Sequence, residues 1–240
     1  MYRLKEKALQ LNIELTDDQL QQFRLYYDLL IEKNKVMNLT AITDLEDVIT
    51  KHFLDSIALG FLNPDLKNVD AGYSVLDLGT GAGFPGIPLK IAFPHLHVTL
   101  MDSLNKRVKF LHSVIEELGL SNINAIHGRA EELARNKEYR ESFDLCVSRA
   151  VANLSTLSEY CIPFIKVGGQ FISYKASEIE DEVTEAKKAI HVLGGQLDSI
   201  KKVCLPESDI ERSFVIIDKV VSTPKTYPRK AGTASKDPIK

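Results

Sequence analysis

Residues 75–93 read VLDLGTGAGFPGIPLKIAF, and the fold turns on this stretch. An apolar β run ends at Leu78. Gly79, Gly81, Gly83 and Gly86 follow within eight residues, and a helix opens with Pro85 and Pro88 in or near its first turn. Glycine permits a tight turn and lets a ligand press directly on the backbone. The unpaired N–H groups at the start of the helix then face that ligand. Two registers fit. Gly81, Gly83 and Gly86 spell G-x-G-x-x-G, the dinucleotide fingerprint. Gly79, Gly81 and Gly83, preceded by Asp77, spell the G-x-G-x-G nucleoside loop of S-adenosylmethionine-dependent methyltransferases. Both registers call for an acid at the end of the next strand. Asp102 stands there, 19 residues after Gly83, where a carboxylate accepts from both ribose hydroxyls. It is also placed to N-cap a helix beginning near Leu104.

Outward from this loop, short apolar runs alternate with helical stretches. Strands are expected at Tyr73–Leu78, His97–Asp102, Ile123–His127, Phe143–Ser148 and Gly169–Tyr174. Between them lie helical stretches at Gly86–Ala92, Leu104–Leu118, Ala130–Asn136, Leu154–Ile165 and Glu178–Val192. This alternation predicts a parallel sheet covered on both faces. Gln196–Leu205 and Arg212–Val221 are then joined by a loop alone, which predicts an antiparallel hairpin. Upstream, Thr16 and Gln19 form a capping box before Leu20, Phe23, Tyr27, Leu30 and Ile31 on one helical face. A further helix starts at Asp44, with Leu45, Val48, Ile49, Phe53 and Ile57 inward. Three features favour the methyltransferase register. Asp77 is positioned to orient the loop and an amino-acid ammonium group, the sheet ends in a hairpin, and no room is left for a separate substrate domain. The expected fold is α/β, of the class I S-adenosylmethionine-dependent methyltransferase type. It is a Rossmann-like, seven-stranded, mostly parallel sheet ending in an antiparallel hairpin, with an N-terminal helical extension. The expected division is a helical region at 1–68, the methyltransferase domain at 69–221 and a basic tail at 222–240.

Composition sets limits. The 240 residues are 44% hydrophobic, enough for one sizeable core. Lys plus Arg is 30 and Asp plus Glu is 33, so a protein that coats nucleic acid by bulk charge is excluded and any such contact needs a local patch. Lys225, Arg229, Lys230, Lys236 and Lys240 against Asp237 leave the tail at +4 and the rest of the chain at -7. No run of 18 apolar residues occurs, so no membrane span is expected. The opening MYRLKEKALQ lacks an apolar segment, so no secretory signal is expected. Cys146, Cys161 and Cys204 are too few and too scattered for a disulfide framework or a cysteine zinc site, and fit a reducing cytoplasm. No metal site is expected.

The segments GTGAGFPGIPL (79–89), TLMDSLNKRVKFL (99–111), GRAEEL (128–133) and SRAVANL (148–154) resemble the bacterial glucose-inhibited division protein B family. So do NLTAITDLEDVITKHFLDS (38–56) and YPRKAGTASKDPI (227–239), so the resemblance runs over nearly the whole chain. It implies a small-subunit ribosomal RNA methyltransferase that makes 7-methylguanosine in the 530 loop of 16S rRNA. The implied cofactor is S-adenosylmethionine, with S-adenosylhomocysteine as product. The implied cofactor contacts fall on Gly79, Phe84, Ala130, Glu131 and Arg149, beside the Asp77, Gly81, Gly83 and Asp102 read from the loop. The implied partner is 16S rRNA or the small ribosomal subunit; a monomer is expected.

Guanine N7 carries a lone pair and no proton, so alignment and desolvation suffice and no general base is expected. The sequence agrees. No N-P-P-[YF] follows the fourth strand, where Ser148, Arg149, Ala150 and Val151 stand instead. No Pro-Cys loop follows it either, and Cys146 lies within it, as a small hydrophobe would. Arg149 and Lys175 are the candidates for positioning the substrate. Arg129, Arg212, Arg229 and Lys230 are the candidates for holding RNA, by phosphate or by guanine O6. Surface pairing is the alternative for two of them: Arg129 with Glu131 or Glu132, and Arg212 with Glu211 or Asp209. The tail's unpaired charge gives it the strongest electrostatic case for RNA. It is expected to serve RNA and leave cofactor affinity alone. His52, Asp55 and Ser56 share a helix face and read either as a polar wall over the substrate or as a cluster fixing the helical region to the core. Tyr26 and Tyr27, with Lys33 and Lys35 nearby, read as residues that stack on or bind RNA, with core packing the alternative for Tyr27, which fits the apolar face. Two other functions stay open: an NAD-dependent oxidoreductase on the same loop, and a non-catalytic rRNA-binding assembly factor.

Overall fold

The computed structural model describes residues 1–70, 72–149, 152–176 and 178–240. Ala150 and Val151, part of the segment after the fourth strand, lie outside the described residues.

The apolar alternation forms one seven-stranded sheet: β1 Ser74–Leu78, β2 His97–Asp102, β3 Ile123–His127, β4 Phe143–Arg149, β5 Ile165–Lys175, β6 Gly195–Cys204 and β7 Glu211–Lys219. The order is β3-β2-β1-β4-β5-β7-β6. The first five strands are parallel, and β7 runs antiparallel to both β5 and β6. The strand order reverses beside β1, so the glycine loop opens at the switch point where α/β sheets take ligands. Pairing extends β5 back to Ile165, opposite Phe143, across an irregularity in the ladder. At the other end β7 stops short of Val221, because the Val220 and Val221 N–H groups turn to Gly194 O.

The helices are α1 Tyr2–Gln10, α2 Asp17–Met37, α3 Leu45–Val48, α4 Asp55–Ile57, α5 Leu59–Leu62, α6 Gly86–Ala92, α7 Asn105–Glu117, α8 Ala130–Leu133, α9 Leu154–Cys161, α10 Glu180–Val192 and α11 Thr233–Lys236. The capping box forms: Thr16 N–H donates to Gln19 Oε1 at 2.8 Å, and Gln19 N–H to Thr16 Oγ1 at 3.2 Å. The Gln19 amide also donates to Ile91 O at 2.7 Å, fixing the start of α2 to the end of α6. Asp44 caps α3, accepting from the Glu46 and Asp47 N–H groups. The single helix expected from Asp44 is instead interrupted by a π-helical turn at Ile49–Leu54. Pro163 ends the α-helical part of the next segment, so α9 gives way to a 3-10 turn at Ile162–Phe164.

Two apolar layers cover the sheet. One joins the N-terminal helices to α6 and α7, with Leu4, Phe23, Tyr26, Phe53, Ile87 and Leu111 buried together. The other joins α9 and α10, through Leu157, Phe164, Ala186 and Ile190. Tyr26, rather than Tyr27, is the buried member of the α2 face. Phe23, Tyr26 and Leu30 follow the i, i+3, i+7 spacing, which turns Tyr27 to the edge, where its hydroxyl donates to Thr43 O. Among the described residues no helix is long and apolar enough to cross a membrane. No group of three or more His, Cys, Asp or Glu that could hold a metal occurs among them either.

Gly86 is where α6 meets the sheet. A Cβ there would overlap Leu100 Cδ2 and stand 2.8 Å from Asp77 Oδ2. Gly86→Ala is therefore expected to destabilise the fold by about 2 kcal/mol through overpacking. Urea unfolding checks this, and an unchanged midpoint would show that β1 and α6 part without strain.

Candidate functional site

The loop after β1 is braced on both sides. Gly79, Gly81 and Gly83 all have positive φ, at 73°, 63° and 108°. The Gly79 and Thr80 N–H groups donate to Met101 O, and the Gly81 N–H donates to Asp102 Oδ2 at 2.9 Å. Asp77 Oδ2 accepts from Thr80 Oγ1 at 2.6 Å and from the Gly86 N–H at 2.7 Å. Asp77 is thus the internal brace of the loop. It is fully buried, and burial pushes its carboxyl up to about 7. Its Oδ1 is buried with no hydrogen-bond partner among the described residues.

The glycines divide by role. A Cβ on Gly81 would meet only Gly79 O, at 4.0 Å, so a ligand has free approach there. Gly83, expected to face the cofactor, packs inward: a Cβ would lie 2.5 Å from Ile87 Cδ1 and 2.7 Å from the Tyr26 hydroxyl. That hydroxyl donates to Ala82 O at 2.7 Å, so α2 holds the loop from behind.

Beside Gly79 and Leu78 opens a cleft of about 240 Å³, lined also by Asp102, Ala130, Glu131 and Gly232. Asp102 has its side chain almost fully covered. Its Oδ1 accepts from the Leu104 N–H at 2.8 Å, and its Oδ2 faces Arg107 at 3.4 Å besides Gly81. Asp102 does not N-cap α7, whose cap residue is Leu104 without a side-chain cap bond; it shapes the turn before the helix and lines the cleft. Ala130 and Glu131 open α8 at its other wall.

Phe84 turns away from this cleft. Its ring stacks on His52 at 4.5 Å and packs against Tyr26 and Phe53, so only its backbone remains for a ligand. Arg149 lies over the other side of the Phe84 contact zone, 5.1 Å from the ring centroid. It is spoken for. Its Nη1 donates to Asp55 Oδ2 at 2.8 Å and its Nη2 lies 3.3 Å from His52 Nδ1. Asp55, with 2% of its side chain exposed, also accepts from Arg212 Nε at 2.9 Å. Arg212 thus pairs with Asp55, not with Glu211 or Asp209. His52, Asp55 and Ser56 form the cluster that ties the helical region to the sheet, with the Tyr174 hydroxyl donating to Ser56 O. Burial, then the Arg149 charge, pull His52 down to about 4, so it is neutral at pH 7. Lys175 is committed as well, donating to Glu182 Oε1 at 2.6 Å and to Ala152 O at 2.8 Å.

The tail does not hang free. Arg229 grips Glu159 of α9, with Nη2 to Oε2 at 2.7 Å and Nε 3.1 Å from both oxygens. Its charge is neutralised by Glu159 and Asp237, which corrects the expectation of an unpaired cation. Lys230 is exposed, and so is Arg129 at the rim of the cleft. Among the described residues no carboxylate stands within ion-pair distance of Arg129, neither Glu131 nor Glu132. Tyr26, a candidate for stacking on RNA, is buried behind the loop instead, and nothing in the sequence reading points to Glu159, Tyr160 or Gly232. The one signal that could have found Glu159 is its place as a lone acid within LSTLSEYC.

A family model described as rRNA small subunit methyltransferase G matches residues 19–212. The chain belongs to that family. The family is also labelled GidB, matching the resemblance read from the motifs. The ribosomal RNA small subunit methyltransferase G of Lachnoclostridium phytofermentans is 53% identical over 231 residues, covering 95% of this chain and 93% of that one. The one from Alkaliphilus metalliredigens is 50% identical over 237 residues, covering 99% and 98%. Among solved structures, TrmN from Thermus thermophilus is similar at TM-score 0.52 and 16% identity, over 72% of this chain and 53% of that one. An rRNA methylase from Streptococcus thermophilus is similar at TM-score 0.50 and 17% identity, over 68% and 96%. At such identities the likeness speaks for fold alone, and the fold of this methyltransferase G family chain is that of class I S-adenosylmethionine-dependent methyltransferases.

Proposed function

We propose that the chain transfers a methyl group from S-adenosylmethionine to N7 of a guanine in 16S ribosomal RNA, giving 7-methylguanosine and S-adenosylhomocysteine. The observation that carries this is the cleft at the sheet's switch point, bounded by Gly79 and Asp102, in a chain of the methyltransferase G family. The dinucleotide oxidoreductase and the non-catalytic assembly factor find no support in that family match.

The residues present fit the cofactor. Open space over Gly81 admits a ligand against the backbone. Asp102 is an acceptor-only carboxylate with lone pairs beyond its two backbone donors, as a ribose diol requires. Ala130 and Glu131, which line the same cleft, are the residues proposed to meet the base. When bound, S-adenosylmethionine supplies an electrophilic sulfonium methyl. Guanine N7 needs no deprotonation, so the chain's work is placement. Arg149 and Lys175 serve as positioning residues. Arg149 joins β4 to Asp55 and the helical region, and Lys175 ties Ala152, just beyond β4, to Glu182. Arg129 and Lys230, exposed and uncommitted, are the cations proposed to meet RNA phosphate. The protein is proposed to act as a cytoplasmic monomer.

The test is methyl transfer from labelled S-adenosylmethionine to small-subunit RNA or intact subunits from cells lacking this gene, with mass analysis of the nucleosides. Label is expected in 7-methylguanosine within one RNA fragment. Tight cofactor binding with no transfer to either acceptor would sink the assignment.

A further inference from the structure

The sequence casts residues 222–240 as an RNA-binding arm, yet the structure folds them against the nucleoside cleft. We infer that this tail is a wall of the cofactor site: it closes the base end of the cleft and orients Glu131. The inference rests on reading that cleft as the S-adenosylmethionine site.

Three observations around Gly232 carry it. Gly232 and Ser235 line the same cleft as Gly79 and Asp102. A Cβ on Gly232 would meet no atom within 4 Å, so the arch presents bare backbone and leaves room beside it. The Gly232 N–H donates to Glu131 Oε1 at 2.8 Å, so the tail fixes a carboxylate that lines the same cleft. Glu131 sits in the first turn of a four-residue helix. Without the Gly232 donor that side chain is free to turn to water.

The dock is built to persist. Glu159 is 1% exposed at its side chain and receives the Arg229 backbone N–H at 2.7 Å in addition to the guanidinium. Charge-assisted forked pairing of this kind is among the stronger protein hydrogen bonds. Lifting the tail would strand the Glu159 carboxylate inside α9, a costly state. Further pegs hold the backbone on either side. Arg140 donates to Thr223 O at 2.7 Å and Tyr227 O at 3.0 Å, and Arg135 donates to Pro228 O. Thr156 Oγ1 donates to Ala234 O at 3.0 Å, and Ser155 Oγ to Ile239 O at 2.6 Å. These partners come from α9, which also lends Tyr160 to the cleft, and from the segment that follows α8. Apart from Arg229, the tail's cations stay outside: Lys225, Lys230 and Lys236 are exposed.

The test uses two variants of the full-length protein and one truncation, read by calorimetric titration with S-adenosylmethionine and with adenosine. Ending the chain at Lys230 removes Gly232 and Ser235 but keeps the Arg229–Glu159 pair. It is expected to weaken both ligands by about tenfold, because the lost contacts are at the base they share. Ser235→Phe, at an exposed position, keeps the tail docked and is expected to weaken both ligands similarly by filling the cleft. Amide exchange at Ala130–Leu133 is expected to quicken in the truncated chain. Unchanged affinity in the Ser235→Phe protein, or in a truncated chain that still melts cooperatively, would overturn the inference. The Asp102→Ala protein separates it from the reading beneath: if wild type binds S-adenosylmethionine and Asp102→Ala binds it equally well, the cleft itself is misassigned.

Discussion

Asp102→Ala is expected to weaken S-adenosylmethionine binding by about a hundredfold while leaving the protein folded. The carboxylate lines the cleft at the C-terminal end of β2, where the sheet places ligands. Hydrogen bonds to a charged acceptor contribute about 1.5–3 kcal/mol each, and the ribose diol offers two. A second loss adds to the first. The Gly81 N–H, held by Asp102 Oδ2 at 2.9 Å, is released, and the loop keeps only its Gly79 and Thr80 bonds to Met101 O of β2. The cost to the fold is smaller, because Gly81 is half-buried and Leu104 exposed, so their N–H groups can turn to water. Asp102→Asn keeps one acceptor oxygen and should fall between wild type and alanine. Titration calorimetry beside a thermal melt separates binding from folding. An unchanged Kd would remove Asp102 from the site.

The second large effect is on stability against pH. Asp77 is buried with one oxygen unpartnered, and burial raises its carboxyl from an ordinary 3.8 to about 7 in the native chain. Between those values the native state holds a proton that the unfolded state has released. Stability therefore falls as pH rises from about 4 to about 7, by up to about 1.4 kcal/mol per pH unit from this group, and is level above that. Asp77→Asn cannot ionise. Its amide oxygen can take the Thr80 and Gly86 donors, while its NH2 faces the position that lacks a partner, a cost that does not vary with pH. The difference in unfolding free energy between the two proteins should thus shift in favour of asparagine by up to about 4 kcal/mol across that window. Urea titrations at several pH values measure it. Parallel profiles would mean that Asp77 ionises normally despite its burial.

The residues that misled the sequence reading share a cause. Gly83 and Gly86 belong to the same motif as Gly79 and Gly81, yet they exist for packing, against Tyr26 and Ile87 and against Leu100 and Asp77. A glycine required by a neighbour's volume looks, in one dimension, like a glycine required by a ligand. The arginines are a second instance. Arg212 has Glu211 and Asp209 beside it in the chain, but pairs with Asp55, more than 150 residues away. Arg229 is counted as free charge in a basic tail until Glu159 takes it from α9. Local neighbours compete in water, where pairing is weak, whereas a buried acid needs its partner and keeps it.

Periodicity and turn chemistry act over a few residues, and they alone determined the strand and helix succession, the terminal hairpin, the nucleoside loop after β1 and the acid at the end of β2. The motifs added the family. Tertiary structure decided which of those residues face a ligand. It turned Phe84 to His52, bound Arg149 and Arg212 to one carboxylate, and folded Gly232 and Ser235 into the cleft. The physical reason is that burial is a pairwise property of distant segments. Desolvated charges and close-packed glycines are satisfied by whatever the fold brings within a few ångströms, and chain order does not record that distance.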